Sequence, residues 1–203
     1  MSENRNELLM IFTRNPELGK VKTRLAKGIG NHAALEVYKM LLRHTREVTQ
    51  NIEQQKSVWY SVQIREKDIW EPSIYAKNVQ KGKDLGARMQ SAFEQSFDSG
   101  YQKVIIIGSD LYDLKKEHLQ EAFAQLNFND IVLGPAQDGG YYLLGLKTVI
   151  PEIFRNKDWG SDTVLQNTLR DLKNQKVYLL ETLNDIDYAE DLEGYKIFKE
   201  FLK

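Results

Sequence analysis

The run Ile105-Ile106-Ile107-Gly108-Ser109-Asp110 sets one carboxylate just past a β-branched apolar stretch. If that stretch is a buried strand of an open α/β sheet, Asp110 stands where such sheets bind their ligands. A hard carboxylate in that crevice suits Mg²⁺ or Mn²⁺ held against phosphate oxygens. Upstream, Gly19-Lys20-Val21-Lys22-Thr23-Arg24 follows the first apolar run. Its glycine permits a tight turn with backbone N–H groups facing an anion, and Lys20, Lys22 and Arg24 add three cations in five residues. Downstream lie Asp138-Gly139-Gly140 and Asn184-Asp185-Ile186-Asp187. Two glycines beside Asp138 allow close approach of backbone to a ligand. Asp185 is a candidate second metal contact.

Each of these residues also has a structural reading. Asp113 is expected to cap a helix near Lys115, and Asp84 one beginning at Leu85. Asp187 with Glu190 three residues on fits a capping box. Asp162 is an expected cap, with Trp159 beside it as a wall of an acceptor pocket. Of Tyr141 and Tyr142, one is expected in the core. Other chemistries fail on spacing. A P-loop needs Ser or Thr directly after Gly-Lys, but Val21 follows Lys20. The dinucleotide fingerprint needs three spaced glycines where Arg14 to Thr23 holds one. His32, His44 and His118 fall in predicted helices without metal-ligand spacing, and no G-x-S-x-G elbow occurs.

The elements that must position these residues alternate. Strands are predicted at Leu8 to Thr13, Ser57 to Val62, Lys103 to Gly108, Asp130 to Gly134, Tyr141 to Leu146 and Lys176 to Glu181. Helices are predicted from Asn31 to about Ile52, Leu85 to Ser99 with Gly100 ending it, Lys115 to Leu126, a short one at Pro151, Thr163 to Lys173 and Tyr188 to Leu202. The segment from Gln63 to Val79 reads as irregular or briefly helical. This alternation argues for a mainly parallel sheet with helices on both faces, in one domain over residues 1–203.

Composition narrows the class. With 28 basic and 29 acidic residues there is no global charge to attract nucleic acid or anionic lipid. The absence of cysteine excludes disulfides, thiolate metal sites and a cysteine nucleophile. Leu8 to Phe12 is too short for a signal-peptide core or a membrane span, so a soluble cytoplasmic protein is expected. Sequence leaves the oligomeric state open.

Phe12-Thr13-Arg14 through Pro16, with Gly19-Lys20-Val21-Lys22-Thr23-Arg24-Leu25, resembles the opening of a bacterial family labelled glycosyltransferase-like. That family lies in the nucleotide-diphospho-sugar transferase superfamily. Asp84-Leu85-Gly86-Ala87-Arg88-Met89, Gly108-Ser109-Asp110 and Gly134 to Leu146 agree in order, and Asp185 to Leu192 resembles the ending of related nucleotidyltransferases. The resemblance implies a GT-A fold, a three-layer α/β/α sandwich. It implies nucleotide contacts from Thr13, Arg14 and Gly19, from Asp84, Gly86 and Arg88, and from Gly139 and Gly140. Lys20, Lys22, Arg24 and Asp138 are then the catalytic set, and Asp110 with Asp185 the metal ligands. One departure stands out: Tyr112 replaces the second acid of the Asp-x-Asp that many metal-dependent glycosyltransferases carry. The expected function is nucleotidyl transfer from an NTP to a small phosphorylated acceptor, favoured because three clustered cations suit a triphosphate. Glycosyl transfer from a nucleotide sugar and a non-catalytic nucleotide sensor are the alternatives.

Overall fold

A computed structural model describes residues 6–202. Seven strands form one sheet: β1 (Glu7–Thr13), β2 (Gln55–Tyr60), β3 (Ala76–Val79), β4 (Lys103–Ile107), β5 (Ile131–Pro135), β6 (Tyr141–Leu146) and β7 (Val177–Leu179). Their spatial order is β3-β2-β1-β4-β6-β5-β7. All pairings are parallel except those of β6, which runs against both β4 and β5. Five α-helices accompany it: α1 (Thr23–Ile29), α2 (Asn31–Thr49), α3 (Leu85–Asp98), α4 (Lys116–Gln125) and α5 (Val164–Asp171).

The strands at the centre are apolar on both faces because both faces are covered. Leu9 and Ile11 of β1 with Ile105 and Ile107 of β4 pack against Tyr38 and Leu42 of α2 and Leu119, Ala122 and Phe123 of α4. The alternate residues Leu8, Met10, Val104 and Ile106 pack against Met89, Ala92 and Phe93 of α3 and the residues Leu165 and Leu169 of α5. Two-residue periodicity thus splits each strand between two cores, giving three layers. Burying each such aliphatic side chain contributes roughly 1.5–3 kcal/mol before chain entropy is charged against it. A third cluster joins Leu25 of α1 and Val37 and Leu41 of α2 to Ile186, Leu192 and Phe198 of the C-terminal segment.

Three expectations need correction. Asn31 is the first residue of α2, whose cap position is Gly30 without a side-chain bond; the chain just before it, from Thr23, is itself helical as α1. The predicted helix from Tyr188 to Leu202 is instead two short 3-10 turns, Glu190–Leu192 and Lys196–Phe201. The Gln63 to Val79 stretch ends in the edge strand β3. Among the described residues, no helix is long and apolar enough to cross a membrane.

Sheet topology sets up the crevice. Parallel β1, β2 and β4 end together, with Thr13 paired to Tyr60 and Ile11 to Ile107. Because β6 is reversed, its first residues arrive at that same edge, Leu143 opposite Ile107. The chain leaving β7 continues alongside Ala136 through a bridge to Leu183. The connections leaving β1 and β4, entering β6 and leaving β7 therefore converge beyond the end of β4.

Candidate functional site

Asp110 is reached directly from β4, and its carbonyl accepts the Ile186 N–H at 3.3 Å. Ile186 is fully buried, which anchors the extended segment 184–187 against the end of β4. In an extended chain residues two apart point the same way, so Asp185 and Asp187 flank Ile186 on the side facing Asp110. Ligand oxygens of Asp110, Asp185 and Asp187 lie within 4.8 Å of one another. An Asp-x-Asp is thus present, at 185–187 rather than at 110–112. Tyr112 is packed among aromatic rings, 5.1 Å from Tyr195 and 5.0 Å from Phe198 between centroids.

Lys22 enters this cluster from the first loop. Its side chain is 5% exposed, and Nζ donates to Asp110 Oδ2 at 2.8 Å and Asp187 Oδ1 at 2.7 Å. Burial alone would lower its pKa, but the charges and hydrogen bonds of Asp110 and Asp187 outweigh burial and hold it above the ordinary lysine value. Burial would likewise raise Asp187, yet Lys22 and then Arg24, whose NH1 donates to Oδ2 at 3.2 Å, bring it below the usual carboxylate range. Asp185 has no cation hydrogen-bonded to it among the described residues, and the charge of Lys22 lowers it only weakly. Burial first, then the charges of Asp110, Asp187 and Asp138, push it up to about 7.

A cleft opens beside these acids. Leu85 and Met89 of α3, Tyr141 and Trp159 supply apolar walls, and Asp110, Asp138 and Asp185 supply the polar side. Tyr141 and Trp159 meet edge to face with centroids 6.5 Å apart. Gly86 makes that wall possible: a Cβ there would lie 2.2 Å from the Phe154 carbonyl oxygen and 2.7 Å from the Trp159 ring. Gly139, at φ 87°, passes so close to Asp162 that a Cβ would meet its carbonyl oxygen at 2.1 Å. Asp138 accepts the Gly140 N–H at 2.8 Å, the turn geometry its sequence suggested, while facing the cleft. Tyr142 is the core tyrosine of the pair, its hydroxyl donating to the Glu181 carbonyl.

The remaining expected residues fall in different places. Thr13 is buried, its hydroxyl bonded to Tyr38 and Ser109, and so ties the end of β1 to that of β4. The Arg14 N–H also donates to the Tyr38 hydroxyl. Gly19 turns the loop at φ 72°. Lys20 points outward, 73% exposed, and pairs with Glu17. Arg24 reaches the cleft mouth, with its guanidinium 5.8 Å from the Tyr188 ring and near Gly160. Asp84 caps α3 through the Ala87 N–H at 2.8 Å, and Arg88 donates to the Gly82 carbonyl at 3.1 Å.

Three capping expectations are corrected. Asp113 accepts the Tyr195 hydroxyl instead of capping α4, and α5 begins at Val164 with Thr163, not Asp162, at its cap position and no side-chain cap bond. Asp187 is not a cap; Asp191 accepts the N–H groups of Asp187 and Tyr188 at 2.8 and 2.7 Å. Asp187 is the member of the acid cluster that the sequence pattern assigns to a cap instead. Its alternate spacing with Asp185 was the available signal, masked by the capping-box pattern.

A mainly parallel seven-stranded sheet with one reversed strand, covered on both faces and cleft at its carboxyl edge, defines the nucleotide-diphospho-sugar transferase fold. A Desulfovibrio desulfuricans G20 protein whose crystal structure carries the provisional description nucleotide-diphospho-sugar transferase is 30% identical. It superposes with a TM-score of 0.84 over 96% of this chain and 88% of that one. The chain belongs to the family described as "Uncharacterized protein conserved in bacteria (DUF2064)", whose model matches residues 44–161. Among curated proteins, the 2-phospho-L-lactate guanylyltransferase of Methanocaldococcus vulcanius is 23% identical over 97% of this chain and 90% of its own. The inositol-1-phosphate CTP transferase from T. maritima shares the fold, with a TM-score of 0.55, 14% identity, and coverage of 100% and 96%.

Proposed function

We propose that the protein is a nucleotidyltransferase that moves a nucleotidyl group from an NTP to a small phosphorylated acceptor, assisted by Mg²⁺ or Mn²⁺. The observation that carries this reading is the convergence of Asp110, Asp185 and Asp187 within 4.8 Å beside an apolar-walled cleft at the strand ends. The guanylyltransferase and CTP transferase likenesses support the same class. Three carboxylates are the oxygen donors a hard divalent cation takes, so the residues fit the group. Asp110, Asp185 and Asp187 would hold it. A cation bound there would neutralise phosphate oxygens and draw charge from the reacting phosphorus.

The chain's own contribution is positioning and charge. Leu85, Met89, Tyr141 and Trp159 shape the acceptor side and keep water from it. Arg24 offers a planar donor fork at the cleft mouth, suited to a phosphoryl oxygen. In the reaction an acceptor phosphate oxygen attacks the α-phosphorus of the NTP, the bond to the bridging oxygen breaks, and pyrophosphate leaves. We assign the Gly19 loop and Lys20 to the nucleotide side, where backbone N–H groups and an exposed ammonium would meet polyphosphate.

The test is pyrophosphate release across a panel of NTPs and phosphorylated acceptors, with and without Mg²⁺ or Mn²⁺. Release that requires metal and falls at least about 100-fold in Asp110→Ala, with far-UV circular dichroism retained, is expected. Unchanged turnover in that variant rejects the metal role. The description of the D. desulfuricans protein favours a second reading, glycosyl transfer. Nucleoside diphosphate release from nucleotide sugars, without pyrophosphate release from NTPs, would select it. Nucleotide binding with neither product would leave the sensor.

A further inference from the structure

Lys22 stands inside the acid cluster, not beside it. Its Nζ is within 2.8 Å of both Asp110 and Asp187, two of the three carboxylates. The backbone is committed to this placement. Lys22 takes φ 47°, a left-handed conformation that a residue with a Cβ adopts at a cost, and its carbonyl accepts the Ala26 N–H to start α1. Asp185 is left without a hydrogen-bond partner among the described residues. Three acids therefore face two cations, Lys22 and Arg24, and the cluster is short of positive charge.

Resting on the metal-assisted reading above, we infer that Lys22 is an internal counter-ion that a divalent cation displaces: the ammonium holds Asp110 and Asp187 in place until the cation takes their oxygens, and cation entry releases Lys22 into the crevice. The physical reason is competition. One set of carboxylate oxygens cannot point the same lone pairs at an ammonium and a metal ion, and the two cations repel each other at adjoining positions. A divalent ion carries twice the charge and can engage all three acids, whereas Nζ engages two. Lysine is suited to yielding because its ammonium rides on a flexible four-carbon stem. Arg24, bonded to the other oxygen of Asp187 and lying over Tyr188, can stay.

Two measurements on the full chain without nucleotide test this exchange. In the first, a brief pulse of an amine-acylating reagent followed by peptide mass spectrometry reads the accessibility of each lysine. Exposed Lys20 serves as the internal standard. Lys22 is expected to react at least tenfold more slowly than Lys20 in chelator, and severalfold faster once calorimetry shows Mn²⁺ to be saturating. Lys20 should not change. Continued protection of Lys22 at saturating Mn²⁺, or no Mn²⁺ binding at all, overturns the proposal. In the second, Lys22→Met keeps the stem and removes the charge. It is expected to bind Mn²⁺ at least tenfold more tightly than the native chain. Equal or weaker binding by a variant that melts cooperatively overturns the competition. Where that variant does not fold, the acylation result on the native chain decides. Neither readout involves turnover. Exchange without pyrophosphate release would sink the transferase reading alone, and metal-dependent turnover with Lys22 protected would sink the exchange alone.

Discussion

Lys20 and Lys22 carry the same ammonium two positions apart, and their surroundings give them opposite energetic weight. Lys20 is 73% exposed and its pair with Glu17 lies in water, where such pairs are worth less than about 1 kcal/mol. Lys22 is buried against two acids, and stripping one side of a buried pair costs about 3–5 kcal/mol, less where the carboxylates keep some solvent. In urea unfolding without metal, Lys20→Ala should shift stability by less than about 1 kcal/mol and Lys22→Ala by at least about 1–3 kcal/mol. Equal effects would contradict the geometry. Asp185 gives a pH prediction of opposite sign to that of Asp187. Its folded value, about 7, stands above the ordinary 3.8, so the neutral form is favoured by folding. That contribution is present below about pH 4 and is lost as pH rises through 7. For Asp187, held low by Lys22 and Arg24, the contribution is present above the ordinary carboxylate range and lost as pH falls below it. Asp185→Asn should therefore melt higher than the native chain at pH 8 in chelator, with the gap closing toward pH 4, while losing turnover. A variant no more stable at pH 8 would show that the carboxylate is not under strain. Asp110 and Asp185 were readable from sequence because one follows a β-branched run and the other precedes an acid-rich turn. Asp187 was not, because Asp187 and Glu190 match a capping box, and only the tertiary anchor at Ile186 keeps that segment extended.

Elements were recoverable where periodicity was long and failed where it was short. Helix α3 runs within a residue of its expected span, since Met89, Phe93 and Ser96 mark one buried face and Asp84 its start. Helix α1 has seven residues and one fully buried side chain, Leu25, which is too little for a helical repeat to show. The C-terminal segment breaks at Gly194, and Asp191 spends its carboxylate on the N–H groups of Asp187 and Tyr188, so only short 3-10 turns form. How α3 meets the site yields an element-scale prediction. Its first turn presses Gly86 beneath Trp159, and the Phe154 carbonyl is backbone that cannot swing aside. Gly86→Ala should cost about 1–3 kcal/mol through overpacking and displace the Trp159 wall. The readouts are thermal melting and acceptor KM, which should rise more than the nucleotide KM. Gly194→Ala, where nothing lies within 4 Å of the added Cβ, is the control and should stay within about 0.5 kcal/mol. If Gly86→Ala matched that control, the close pass would not be holding the wall.

At the scale of the whole molecule, alternation foretold a mainly parallel sheet but left its one reversal unstated. The reversal was within reach, since only residues 136–140 join β5 to β6. That span is too short for a parallel crossover, which needs a dozen residues or more. What sequence could not supply was the side-by-side arrival of the β4, β6 and β7 connections, because it depends on strand order. The two cores on either side of the sheet share a property that a single experiment can read. Tyr38, Tyr75 and Tyr142 lie in the core on one face and Tyr141 packs against the other, and burial foremost raises the pKa of each. Burial, followed by the Asp68 hydrogen bond and charge, raises Tyr60 as well. A folded value above the unfolded one, about 10, means that their contribution to stability is complete below pH 10. It drains away above that pH, as the unfolded chain sheds phenolic protons that the folded chain keeps. Each such group steepens the loss by about 1.4 kcal/mol per pH unit. Absorbance at 295 nm should therefore show only part of the tyrosines ionising while the native circular dichroism persists. The remainder should appear in one step, at the same pH at which the dichroism collapses. Complete tyrosinate absorbance under a native spectrum would mean that water reaches both cores, and the sheet would not be sealed on either face.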